Sequence, residues 1–231
     1  MVQPLLLQYY VLLPEHRPDE PDSSSQYRKA LAKFKRAVEA RYFEDTLERL
    51  LNSPDAQARQ AAVLALDLTG SIQVNASVAH CLHDDDPMVR EMAADALWSI
   101  WRRADKPENN QELRRLMRLI ADDGNPQEVL NGFEALLRKA PRFAEAFNQR
   151  AVFHYLRGDY IRAIADCEKT MRLNPYHFGA AAGMGQCFMK QKKLKAALRI
   201  YRRASRINPN LHNIRETIES LERMLGEEGK R

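Results

Sequence analysis

Three groups of residues in this 231-residue chain have side chains and spacing that could do chemistry. The first is His80-Cys81-Leu82-His83-Asp84-Asp85-Asp86. Two histidines at i and i+3 share a helix face, and with Cys81 beside them they suggest a metal site. A closed site needs about four ligands, and no second ligand pair occurs elsewhere. The segment therefore reads as a helix end with exposed histidines, followed by an acidic turn that caps the next helix. The second group is Cys167, Cys187 and His154, a thiol–imidazole set. A nucleophilic pair also needs an orienting partner and a cleft, and the sequence shows neither. The third is the glycine-rich stretch Gly179-Ala180-Ala181-Ala182-Gly183-Met184-Gly185. No Gly-Lys-Ser/Thr follows, so it is not a phosphate loop; close helix packing explains it. His-Glu-x-x-His and Gly-x-Ser-x-Gly are absent. The expectation is a non-enzyme with no catalytic residue, no metal and no cofactor.

A fourth feature is electrostatic. From Lys169 to Arg215 there are 11 basic residues and no Asp or Glu. Eight lie between Lys190 and Arg206: Lys190, Lys192, Lys193, Lys195, Arg199, Arg202, Arg203 and Arg206. The four arginines fall at i, i+3, i+4 and i+7, one stripe of a helix. Three readings stay open for this basic face. They are a solvated surface, a patch for an acidic protein, and a site for nucleic acid or anionic lipid.

The elements that must position these groups are helices. Hydrophobic residues make up 45% and charged residues 29%, which is the composition of a folded globular chain. Gly is scarce, while Ala, Leu, Arg, Lys and Glu, all good helix formers, abound. No alternating apolar–polar run marks a strand. The net charge of +5 hides an asymmetry: residues 1–110 carry 13 basic and 17 acidic side chains, and residues 111–231 carry 23 and 14. Three widely spaced cysteines, Cys81, Cys167 and Cys187, argue for a reducing, cytoplasmic compartment rather than a disulfide framework. No stretch approaches the roughly 20 apolar residues that span a bilayer. The apolar segment from Pro4 to Pro14 lacks a basic start and a cleavage site, so it reads as part of the mature chain, an arm folded onto the body, with an exposed docking segment as the alternative. Residues 14–25, with three prolines and Ser23-Ser24-Ser25, read as a loop ending in helix caps.

The second half repeats. Pro107, Pro141, Pro175 and Pro209 are each 34 apart, as are Gly124 and Gly158, and Ala163 and Ala197. Leu173-Asn174-Pro175 and Ile207-Asn208-Pro209 close matching phrases. Ala144–Pro175 adds Phe147, Ala151, the turn Gly158-Asp159-Tyr160 and Ala163. Phe178–Pro209 adds Gly185, Phe188, Ala197, Tyr201 and Ala204. On these residues the segment 144–209 resembles the tetratricopeptide repeat family. Lys192 for the turn glycine, Ala181 for an aromatic and Thr170 for a small residue are its departures. The resemblance implies antiparallel helix pairs that stack, since one pair cannot bury its own apolar face. It implies that the basic helix lies on the outer side, with Tyr201 at a core position. It also implies an inner groove that binds a peptide. By repeat position the groove falls on Asn148, Gln149, Val152 and Tyr155, then Gln186, Met189 and Lys190, with Arg114 and Arg118 extending it. Asn and Gln can hold a peptide backbone, and Lys and Arg an acidic group.

Residues 110–141 read as a degenerate copy, with a helix from about Glu112 to Ala121, then Gly124-Asn125-Pro126 and a second helix to about Lys139. Gly124, Phe133 and Pro141 are in register. His212–Leu225 reads as an amphipathic capping helix with Ile214, Ile218, Leu221 and Leu225 on one face. In the first half, Ala58–Leu66 recurs 31 residues later as Val89–Leu97. Ser53-Pro54-Asp55 and Asp86-Pro87 precede the two copies as helix starts. This echo, over residues 45–103, resembles HEAT repeats. The expected architecture is an all-α, right-handed helical-repeat solenoid. An arm and loop (1–25) precede HEAT-like pairs (26–104), and tetratricopeptide-like pairs with a cap (110–231) follow. The expected function is a protein-interaction scaffold. Its partner is a protein or peptide, acidic where it meets the basic face, and a nucleic-acid-associated scaffold is the alternative.

Overall fold

A computed structural model describes residues 5–14 and 21–228, with side chains omitted for 21–24, 212, 227 and 228. Among the described residues there are thirteen α-helices and no strand. Two compact units divide the chain between Ile100 and Trp101.

The first unit holds α1 (Leu5–Val11), α2 (Pro21–Arg41), α3 (Glu44–Leu50), α4 (Ala56–Thr69), α5 (Asn75–His80) and most of α6 (Pro87–Arg102). Helix α4 is its hub, packed by α1, α2 and α3. Ala61, Ala62, Val63, Ala65 and Leu66 on α4 are fully buried. The apolar arm folds onto this unit: Leu6 and Leu7 are buried, and the Tyr10 hydroxyl donates to Gln60 at 3.3 Å. The expected loop at 14–25 is corrected. Residues 15–20 lie outside the described residues, but Pro21 is already helical in α2, so Ser23, Ser24 and Ser25 stand inside the helix rather than at its cap. A second correction concerns α4. Its cap is Asp55, whose carboxylate accepts the Gln57 amide, so Pro54 lies outside the helix. Asp86-Pro87 does start α6 as expected, with Asp86 accepting the Val89 amide at 2.9 Å.

The second unit runs through α7 (Pro107–Ala121), α8 (Pro126–Lys139), α9 (Ala144–Leu156), α10 (Tyr160–Leu173), α11 (Phe178–Lys190), α12 (Leu194–Ile207) and α13 (His212–Glu228). Each helix packs on its neighbour in sequence. Successive apolar clusters fill the stack because each pair leaves an apolar face for the next. Phe133 and Phe143 fill the α7–α9 level, Met171, Met184 and Ile200 the middle, and Leu221 of α13 closes the last pair. Small residues permit the close crossings. A Cβ on Gly185 would lie 2.6 Å from the Tyr201 ring, and one on Gly132 2.4 Å from Leu116. Thr170, in place of an alanine, is fully buried and donates to the Asp166 carbonyl at 2.9 Å.

The turns between paired helices share one closure. The residue after a left-handed position donates its amide to the carbonyl five residues back, which satisfies a terminal carbonyl. Gly158 (φ 76) and Lys192 (φ 58) hold that position, followed by Asp159→His154 and Lys193→Phe188 at 2.9 Å. In the degenerate copy the left-handed residue is Asp123 (φ 49), and Gly124 is the donor to Leu119. Gly124 is thus one residue past the position that the 34-residue register assigned to it. Pro107 also departs from its series. It opens α7, making that helix five residues longer than expected at its start, whereas Pro141, Pro175 and Pro209 each precede a helix by three residues.

Candidate partner-binding surfaces

The start of α9 is tied to the start of α11 by a buried carboxylate. Glu145 and His177 are both fully buried, with Oε2 and Nε2 at 2.8 Å. The Ala180 amide donates to His177 Nδ1 at 3.0 Å, so Nε2 carries the proton and donates to Glu145. Asn148 donates to the same carboxylate at 3.2 Å and Gln149 at 2.6 Å. Three donors compensate a charge that would otherwise be costly to bury. Trp101 stacks on the imidazole with ring centroids 4.1 Å apart.

Beside this node lies a cleft of about 260 Å³ between α9 and α11, with α10 below. Asn148, Val152, Tyr155 and Gln186, four of the residues expected in the groove, line it together. Ala151, Leu156, Cys167, Gly179, Gly183 and Cys187 complete the lining. Val152 is 41% and Leu156 63% exposed, so the mouth is apolar. The other expected groove residues fall elsewhere. Gln149 is engaged by Glu145 and is not part of the lining. Met189 packs against the α12–α13 core, and Lys190 is exposed outside the cleft. Arg114 and Arg118 are exposed on α7 and do not reach it.

The glycine-rich stretch needs a correction. Close packing accounts for Gly185, but a Cβ on Gly183 would meet nothing nearer than Cys167 Sγ at 3.9 Å. Gly183 widens the cleft instead. The signal was available in the spacing: Gly179, Gly183 and Gln186 stand at i, i+4 and i+7, on one face of α11.

The candidate nucleophiles are separated. Cys167 and Cys187 line this cleft, whereas His154 lines another with Arg150 and Asp166. Burial pushes the Cys187 thiol up to about 11 and raises Cys167 further. Arg150 grips Asp166 through two bonds of 2.7 and 2.8 Å, and burial lowers the His154 pKa. In the first unit His80 and His83 are exposed, while Cys81 is buried. Asp84 takes a two-point contact from Arg59 at 2.7 and 2.8 Å. The acidic turn thus holds α4 to the start of α6. Among the described residues no three His, Cys, Asp or Glu side chains cluster as metal ligands would.

The basic face is divided by its surroundings. Arg202 pairs with Glu222 of α13 at 2.8 Å. Lys192, Lys193 and Lys195 border a shallow depression with Leu194 and Leu225. Arg199, Arg203 and Arg206 face a cleft of about 460 Å³ toward α10, where Arg172 joins them. Arg172 belongs to the acid-free stretch but was not assigned to the basic face, because it lies one repeat before the arginine stripe, on α10.

Residues 43–137 match the family model of HEAT repeats, and residues 154–218 that of the tetratricopeptide repeat. The HEAT match continues through α7 and α8, the pair read from sequence as a degenerate tetratricopeptide copy. The Protein SGT1 homolog of Bos taurus is 33% identical over 97 residues, which is 41% of this chain and 29% of that protein. The Homo sapiens homolog is 33% identical over 86 residues, 37% and 24% of the two chains. The chain thus spans less than a third of the length of these curated relatives. Among solved structures, the Sgt2 TPR domain from Aspergillus fumigatus is similar to 55% of this chain and 85% of its own, at 18% identity and a TM-score of 0.50. Residues 43–137 are thus similar to HEAT repeats, and residues 154–218, which follow them, to tetratricopeptide repeats.

Proposed function

We propose that the chain is a protein-interaction scaffold whose tetratricopeptide half holds a segment of a partner protein in the α9–α11 cleft. The observation that carries this is the lining itself. Exposed Val152 and Leu156 flank a concavity that Gly183 leaves open, with Gln186 and Tyr155 at hand to hydrogen-bond a peptide backbone. An exposed apolar mouth around a polar-edged cleft is the form of an interaction site. The two matched repeat families supply the frame. The HEAT-like half, 26–104, and the tetratricopeptide-like half, 110–231, are its two parts, and three buried free cysteines suit a cytoplasmic setting. No helix among the described residues is long and apolar enough to cross a membrane. The scaffold reading is favoured over an enzyme because the cleft's thiols are protonated at neutral pH and its polar groups do not converge on one point.

The test is affinity capture from native extract with wild type and Gly183→Phe, which fills the cleft from an open position. Loss of a defined set of partners in the variant, with an unchanged circular dichroism melt, is the expected result. An identical set would refute the cleft assignment.

A further inference from the structure

We infer that the outer cleft between α10 and α12 is a second, separate site, for an acidic amphipathic segment of a protein. Arg199, Arg203 and Arg206 stand at i, i+4 and i+7 on α12 and are exposed. None of the three has an ion-pair or hydrogen-bond partner among the described residues. Like charges one turn apart on a helix repel and disfavour it. Arg206, in the last turn, gains from the helix dipole; Arg199, near the middle, has no such compensation. Arg172 adds a fourth guanidinium from the facing helix, with Glu168 3.9 Å away. An anion placed among them would relieve this repulsion, and guanidinium forks match carboxylate geometry.

The floor decides which anion. It is apolar, formed by Met171, Met184 and Ile200, and methionine adapts readily to an incoming aliphatic side chain. A helix presenting Glu at one-turn spacing with a Leu between would meet the arginines and the floor together. Arg199 to Arg206 spans roughly 10 Å at 1.5 Å per residue, two turns of such a helix. Nucleic acid fits less well. Glu168 stands in the lining, Arg202 is drawn off to Glu222, and Tyr201 is buried against Gly185 rather than offered for base stacking.

The test is fluorescence anisotropy of the full chain with a labelled synthetic amphipathic helix of Glu and Leu. Companion probes are the same peptide with Leu replaced by Ser, a single-stranded oligodeoxythymidine, and phosphatidylserine vesicles. Saturable binding to the Glu/Leu peptide in low salt is expected, weakening as salt rises. Arg199→Glu with Arg203→Glu should weaken it by about tenfold or more, while Gly183→Phe leaves it unchanged. If the double reversal melts early, Arg199→Gln with Arg203→Gln supplies the same reading. The inference is overturned by absence of peptide binding, by equal affinity in the arginine variants, or by equal binding of the Ser peptide. Tighter binding of the oligonucleotide or the vesicles overturns it as well. Because Gly183→Phe changes only the inner cleft, failure here and failure of the scaffold assignment are read separately.

Discussion

The inner cleft between α9 and α11 and the outer cleft between α10 and α12 are built by the same rule and differ in everything else. Each lies between equivalent helices of consecutive repeats. The inner one is lined by small and apolar residues around a few amides; the outer one is ringed by arginines over a methionine floor. Repeat geometry therefore fixes where concavities fall. The residues free of the repeat's packing demands decide what each can hold. Helix α11 serves both, giving Gly183 and Gln186 to the inner cleft and Met184 to the outer.

The comparison breaks most completely if α11 loses its anchor. His177→Ala leaves the Glu145 carboxylate buried without one of its three donors. It should destabilise the second unit by about 3 kcal/mol or more, measured by urea unfolding followed by circular dichroism. Both clefts should lose binding together, and a variant as stable as wild type would remove the node from its structural role. A sharper contrast lies within α11. Gly185→Ala forces a Cβ onto the Tyr201 ring and should cost about 1–3 kcal/mol. Gly183→Ala enters open space and should stabilise by up to about 1 kcal/mol, since alanine is the better helix former. Equal effects of the two would show that the glycines are not divided between packing and cleft. The smallest effect is in pH. Burial lowers the His154 pKa, so the folded state favours the neutral ring. The unfolded chain binds the proton more readily, and stability present above the ordinary histidine value, about 6.5, declines as pH falls below it. In the first unit Asp84 behaves differently. Burial alone would raise its pKa, but the Arg59 contact and the Asp86 amide together hold it below the usual value. Its contribution persists until pH falls through the carboxylate range. His154→Gln should flatten the melting temperature between neutral and mildly acidic pH, and a wild-type profile already flat there would contradict this account.

The helix pairs were legible because their signals are local. Asn174-Pro175 and Asn208-Pro209 stop helices wherever they occur, and Ala163 and Ala197 must be small for the same reason in each copy. The turn in the α7–α8 pair was misregistered because any residue able to hold a left-handed φ can take the position, and Asp123 does so where glycine was expected. The HEAT match extends over that same pair, while its contacts place it in the compact unit of the later helices. Both repeat types are stacked antiparallel helices, so a pair with few marker residues satisfies either pattern. Asn148, Val152, Tyr155 and Gln186, chosen by repeat position, line one cleft together. Gln149 stands outside that lining with its amide on Glu145, and nothing local in the sequence reveals that Glu145 is buried and needs a donor. Gly183 and Gly185 are indistinguishable in composition; only the presence of Tyr201 opposite one of them separates their roles. Arg172 joins the outer cleft across a repeat boundary, a relation that spacing within one helix does not express.

The stack of Trp101 on His177 has a practical consequence. An indole in face-to-face contact with an imidazole is electronically coupled to it, and its emission depends on the distance between the rings. Because His177 also caps α11, any event that loosens the wall shared by the two clefts alters the light from a reporter already built into the protein.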